Sequence, residues 1–275
     1  MVTVRVRSAL MKGDWMAFVH GHTGSHFLDS LSAENFELLH RSLVDVALTR
    51  GDVLCVPGDD LDCIWFPTTA ILSVVTLLAN GQDVEACTIG HESAYGLLNA
   101  MGSSIAIDRV IAQVPGHAIK LAASRLRAAA ALSISITDLI VRHAQANTAQ
   151  IQQSVACNAV HSVEARLCRW LLMTQDRTRS DRLPLTQEFL GFMLGVQRTT
   201  VTGVARTLQA AGAIRYSRGL IEILDRDRLK AGACECYASV LEKHAQLLGA
   251  RPLRTVDPFD SARPPAGAPS AAERA

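Results

Sequence analysis

The side chains best equipped for chemistry in this 275-residue chain lie between Leu185 and Leu208. Gln197, Arg198, Thr199, Thr200, Thr202 and Arg206 alternate with apolar Val201, Val204, Ala205 and Leu208. A helix that buries the second set turns the first outward. Amide, guanidinium and hydroxyl groups of this kind donate to adenine edges, guanine edges and phosphate oxygens. Thr186 and Gln187 open a shorter helix whose Leu190, Met193 and Leu194 face inward, and Gly195 supplies the tight turn between the two, which is a helix-turn-helix pattern. After Gly212, two short β-like runs, Ala213 to Tyr216 and Leu220 to Leu224, flank Ser217-Arg218-Gly219. They read as a hairpin with a basic tip, the wing of a winged helix, with Arg215, Ser217 and Arg218 as candidate backbone contacts. The competing reading is a helical hairpin and a β-hairpin packed for stability alone.

Charge supports the first reading. The net charge is only +1, yet positions 26–100 carry two basic and eleven acidic residues, whereas 177–219 carry seven basic and two acidic ones. One part repels polyanions and the other attracts them.

These residues need elements to position them. Hydrophobic residues make up 49% of the chain and its length suits about two domains, so a sizeable core is available. From Gly51 to Leu121, short β-branched and aromatic runs break at turn residues, including Pro57-Gly58, Ala79-Asn80-Gly81-Gln82 and Pro115-Gly116. That spacing predicts a sandwich or jelly-roll barrel with room for a ligand. Beyond Leu121 the apolar period becomes helical, and a helix capped by Thr137 is expected to run to about Cys157. Its small face, Ala144, Ala146, Ala149 and Val155, suits packing against a symmetry mate or within one chain. Another helix starts near Ser162. The Pro-rich stretch 251–275 reads as disordered. The expected divisions are an extension at 1–25, a sensor barrel at 26–132, a central helix at 133–160, a winged helix at 161–250 and the tail.

Seven cysteines without repeated spacing or any CxxC pair suit reduced thiols in a cytoplasm and argue against a zinc ribbon or a cysteine-ligated cluster. Cys234-Glu235-Cys236 is a candidate redox switch or a pair of small buried hydrophobes. His20, His22 and His26 are candidate metal or haem ligands or part of a solvated loop. No GxSxG, HExxH, GxxxxGK[ST] or GxGxxG occurs, which argues against an enzyme. No transmembrane or leader segment is expected.

A β-rich amino-terminal half, a long central helix and a winged helix resemble the Crp/Fnr family, the cyclic-AMP receptor and fumarate-nitrate reductase regulators. The resemblance spans about Arg50 to Asp225 and is most specific in Gly195-Val196-Gln197-Arg198-Thr199-Thr200-Val201. The family's recognition helix commonly opens Arg-Glu-Thr-Val. Arg198, Thr200 and Val201 match, Thr199 replaces the glutamate, and Gly203 stands where a second arginine is frequent. The resemblance implies the same docking mode on a different target sequence. Cyclic-nucleotide-binding members use a Gly-Glu pair, an Arg-Ser or Arg-Thr pair and a Thr-Ser pair on the central helix. Here the corresponding pairs are Gly96-Leu97, Arg109-Val110 and Ile151-Gln152. His91, Glu92, Ser93, Arg109 and Gln152 remain as candidates for a different ligand site. The grouped amino-terminal cysteines of iron-sulfur members are absent.

The expectation is an α+β chain with a jelly-roll barrel of the cyclic-nucleotide-binding kind, a long central dimerisation helix and a carboxy-terminal winged helix-turn-helix. Its partners would be near-palindromic double-stranded DNA, a second copy of itself and RNA polymerase, with no membrane. No cofactor is identified and the effector is unknown, other than that it is not cyclic AMP. The alternatives are a sensor that does not touch DNA and a haem or redox variant of the same family.

Overall fold

The computed structural model describes residues 18–79 and 83–249. The turn expected at Asn80-Gly81-Gln82, most of the amino-terminal extension and the Pro-rich tail lie outside them.

Two short helices, α1 (His26–Asp29) and α2 (Ala33–Glu37), and a 3-10 turn at His40–Ser42 precede seven strands. These are β1 (Val44–Leu48), β2 (Val53–Cys55), β3 (Cys63–Pro67), β4 (Ile71–Leu77), β5 (Asp83–Ile89), β6 (Arg109–Val114) and β7 (Gly116–Ala122), with helix α3 (Leu97–Met101) between β5 and β6. One sheet has the order β1-β7-β3 and the other β2-β6-β4-β5, and every pairing is antiparallel. The expected jelly-roll sandwich is therefore present. Cys63 to Pro67 are all buried, as the continuous apolar run demanded. At the β6 to β7 turn a Cβ on Gly116 would stand 2.6 Å from the Ala70 nitrogen, so only glycine lets the two backbones cross there.

Helix α4 (Ala123–Leu132) follows, then α5 (Ile134–Val160), 27 residues or about 40 Å long. It begins three residues before the expected cap. Extended Ser133 separates the two helices, and the Thr137 hydroxyl donates to the Ala130 carbonyl at 3.3 Å. Helix α6 (Val163–Thr178) is capped by Ser162, which accepts from the Ala165 amide.

The remainder comprises β8 (Arg182–Leu183), α7 (Gln187–Leu194), α8 (Arg198–Ala210), β9 (Ile214–Ser217), β10 (Leu220–Ile223), α9 (Arg226–Gly232) and α10 (Cys236–Leu248). Strands β8, β10 and β9 form the wing sheet in that order. Helix α10 packs back along α5, a contact that periodicity alone does not announce. Apolar side chains of α6, α7, α8 and the wing share a core with Val75 and Ile111 of the barrel, so the carboxy-terminal unit is seated on the four-stranded sheet. Among the described residues no helix is long and apolar enough to cross a membrane.

Candidate nucleic-acid interface and sensor cavity

Thr186 starts α7 by accepting from the Phe189 amide at 3.2 Å. Gly195 ends that helix at φ 62°, a left-handed conformation that glycine adopts at low cost. Gly191 allows the turn to close, because a Cβ there would stand 2.9 Å from the Val196 carbonyl oxygen. Val201, Ala205 and Leu208 of α8 are buried, while Gln197, Arg198, Thr199, Thr200 and Arg206 are exposed. Thr202 is half-buried and donates to Gln187 Oε1 at 2.8 Å, tying the two helices together at their polar edge. Thr186 is exposed beside Gln187, which is half-buried.

The wing turns through Arg218 at φ 47° and Gly219 at φ 77°. Two successive positive φ values match the right-handed twist of a two-residue hairpin. Ser217 and Arg218 are exposed at the tip, and exposed Arg215 pairs with Glu222 at 2.7 Å. Gln187 and Thr202 thus meet at the edge between α7 and α8, while Gln197, Arg198, Thr199, Thr200 and Arg206 of α8 and Ser217 and Arg218 at the wing tip are open to solvent.

Arg177 of α6 joins this unit to the barrel. Its Nε donates to Glu92 Oε1 at 2.7 Å, Nη1 to Thr88 Oγ1 at 2.7 Å and Nη2 to Gln150 Oε1 at 3.1 Å. Burial alone would raise the Glu92 carboxyl, but the adjacent guanidinium overrides it and holds the carboxyl at about 2. Nearby, Glu85 accepts from Ser73 Oγ at 2.6 Å and from Trp170 Nε1 at 3.0 Å. Burial pushes its carboxyl up to about 7 against those two hydrogen bonds.

A cavity of about 390 Å3 opens between the barrel, α3 and α5. Tyr95, Leu97, Asn99, Asp108, Asn147, Thr148 and Ile151 are among its lining residues, and no arginine, lysine or histidine among the described residues is. None of the five residues expected from sequence for a ligand site lines it. Glu92 is taken by Arg177, and Ser93 Oγ lies 3.2 Å from Nδ1 of buried His143. His91 supplies its carbonyl to the His26 amide at 2.7 Å. Arg109 donates to Asp83 at 3.1 Å, a structural ion pair, and Gln152 is exposed on α5 one position beyond lining Ile151. The cavity polar groups that sequence reading missed, Asn99, Asp108, Asn147 and Thr148, are unremarkable in type. Only the packing of α5 against the barrel gathers them.

His20, His22 and His26 form no convergent ligand set. His20 Nε2 lies 2.7 Å from the Leu31 carbonyl oxygen, and the His26 ring stands 5.7 Å from that of His143. The one grouping of metal-capable side chains found among the described residues is Cys157, His161, Cys234 and Cys236.

With this geometry in view, residues 165–231 match the Crp-like helix-turn-helix domain family. The fold is that of solved Crp/Fnr regulators. FixK2 from Bradyrhizobium japonicum aligns at a TM-score of 0.60 and 14% identity over 70% of this chain and 98% of that one. A Crp/Fnr-family transcriptional regulator from Thermus thermophilus aligns at 0.57 and 20% identity over 69% and 98%. The regulator CLP of Xanthomonas campestris, described as c-di-GMP responsive, aligns at 0.58 and 14% over 70% and 99%. No curated protein sequence matches the chain.

Proposed function

We infer that the chain is a DNA-binding transcription regulator of the Crp/Fnr type that works in the cytoplasm as a homodimer. The observation that carries this is the division of α8: buried Val201, Ala205 and Leu208 on one side, solvent-exposed Gln197, Arg198, Thr199, Thr200 and Arg206 on the other. The wing adds Ser217 and Arg218 beside it. A helix presented in this way reads base edges from the major groove while the wing holds the backbone.

Dimerisation is supported by α5. Ile134 and, seven residues on, Val141, then Gln145, Thr148, Gln152, Val155 and Ala159 at alternating steps of four and three, are exposed, a seam of the two-helix type. Ile134 and Val155 are 83% and 67% exposed, more than a monomer gains by leaving them in water. Of the small face expected from sequence, Ala146 is buried within the chain and Ala144 and Ala149 are half-buried, whereas Val155 belongs to this seam. A dimer paired along this seam would present two copies of α8, as half-sites about one helical turn of DNA, roughly 34 Å, apart require.

The signal would enter at the cavity against α5 and act by changing the pose of that helix. Selection of bound sequences from a random duplex pool tests the reading. A near-palindrome with half-sites one turn apart is expected, and recovery of a single unrepeated half-site by a monomeric protein would overturn it.

A further inference from the structure

We propose that Cys157, His161, Cys234 and Cys236 form a tetrahedral zinc site that fastens the end of α5 to the start of α10. The four side chains come from positions far apart in sequence, yet their ligand atoms all lie within 4.8 Å of one another. Cys157 Sγ is 3.5 Å from Cys234 Sγ, and Cys236 Sγ is 3.5 Å from His161 Nδ1. Zinc bonds of about 2.3 Å to sulfur and about 2.0 Å to nitrogen set tetrahedral ligand separations near 3.5 to 3.8 Å. Little movement is needed to admit an ion.

Local architecture explains the convergence. Cys157 and His161 are one helical turn apart at the carboxy-terminal end of α5. Cys234 and Cys236 flank Glu235, the residue that opens α10, and α10 lies along α5. Three buried cysteines in contact also describe a small apolar cluster, but the groups around them do not suit one. His161 Nε2 stands 3.2 Å from Glu235 Oε1, so the carboxylate fixes the tautomer that leaves Nδ1 facing Cys236. Gln153 Nε2 donates to Cys236 Sγ at 3.1 Å, and Lys243 Nζ donates to the same glutamine's Oε1 at 3.0 Å. Such a relay satisfies a thiolate better than a thiol.

Charge agrees. Three thiolates, one neutral imidazole and a divalent ion carry a net charge of −1. Arg166 and Arg169 are each only 8% exposed, and Arg166 Nε with Arg169 Nε and Nη1 have no hydrogen-bond partner. Arg166 donates to Asn158, the residue after Cys157, at 2.9 Å, so an anionic centre at Cys157 stands beside a buried cation. The three thiols release their protons to solvent as the ion binds. Soft sulfur donors in a four-ligand set with no open position select zinc in a structural role.

The test uses full-length protein, purified reduced and without a polyhistidine tag. Elemental analysis should find one zinc ion per chain after gel filtration. Exchange for cobalt(II) should produce the intense near-ultraviolet thiolate-to-cobalt band and the visible bands of a tetrahedral site. His161→Asn and Cys234→Ser should lose that band's intensity and the zinc. If either variant fails to fold, the wild-type protein still decides: chelation should lower its melting temperature and added zinc should restore it. Reduced wild-type protein that takes up neither zinc nor cobalt would overturn the proposal. So would a resting Cys157 to Cys234 disulfide, or iron and acid-labile sulfide in place of zinc.

Discussion

Arg177 and Glu92 face each other at 2.7 Å with side chains 1% and 8% exposed, one from α6 of the winged-helix unit and the other from the loop after β5 of the barrel. A charge pair so deeply buried is costly to desolvate, and its partners decide whether it is tolerated. Here Thr88 and Gln150 take the remaining guanidinium protons, and the Gly90 amide donates to Glu92. Gly90 itself leaves room for the arginine, since a Cβ there would stand 2.7 Å from Arg177 Cδ.

Removing the arginine alone should therefore be severe. Arg177→Met leaves Glu92 charged and unpaired, and should cost about 3 to 5 kcal/mol in urea denaturation. Adding Glu92→Gln to that variant should recover a large part of the loss. A single-variant cost below about 1 kcal/mol would show that the two units are held by apolar contact alone.

Stability should also depend on pH through groups of opposite sign. Burial holds His143 down at about 3 and lowers His244, whereas both return to about 6.5 on unfolding. They stabilise the fold above that value and lose their contribution as pH falls below it. Glu85 does the reverse: raised from 4.5 to about 7, it binds a proton in the folded state across that window, and its contribution is lost as pH rises. Between about pH 5 and 6.5 it offsets one of the two histidines. Glu85→Gln should steepen the fall in stability toward low pH by about one proton, or roughly 1.4 kcal/mol per pH unit. Parallel denaturation curves for wild type and variant across that range would contradict the assignment.

On the proposed function, α8 and the wing tip should separate specificity from affinity. Arg198→Ala should cost about 1 to 3 kcal/mol on the preferred site and relax base choice. Arg218→Ala should weaken all duplexes alike and reduce the salt slope by about one unit. Binding isotherms on specific and random DNA at several salt concentrations distinguish the two, and equal losses for both variants would refute the division of labour.

Cyclic AMP should not bind. A buried phosphate needs a cation, the described residues that line the cavity supply none, and Arg109 is already engaged by Asp83. Asp108 in the lining adds a carboxyl, raised by burial, that would oppose an anion further. Titration calorimetry should be flat at micromolar nucleotide, and a measurable micromolar Kd would show that the cavity rearranges to recruit a cation.

The seam on α5 has a direct test. Val141→Lys with Val155→Lys places four like charges at the pairing of two helices and should convert the dimer to monomer by light scattering. An unchanged mass would move the interface elsewhere.

What could be read from sequence and what could not follows from how each feature is encoded. The winged helix was legible because its signals are local: a glycine turn at 195, apolar residues three or four apart, and Arg218-Gly219 between two β-like runs. The barrel was legible for the same reason. The five candidate ligand residues do not line this cavity, because a pocket is bounded by segments far apart in sequence, and a shift of one position on a helix turns a side chain about 100° away. Ile151 and Gln152 illustrate this, the first lining the cavity and the second exposed. Cys234 and Cys236 stood out in sequence as a pair, but their meeting with Cys157 and His161 did not, because the two pairs stand on elements far apart in the chain.

Arg218 has a positive φ, a conformation that side chains other than glycine, asparagine or aspartate seldom adopt. Its neighbour Gly219 carries the same turn without strain. Selection for stability alone would put glycine or asparagine at both positions, and replacing Arg218 with either should make the hairpin firmer by about 1 kcal/mol. The same change removes the cation from the wing tip. On the proposed function, fold and grip are opposed at this one residue, and thermostabilised descendants of this chain that still bind DNA should be those that improve elsewhere and leave position 218 strained.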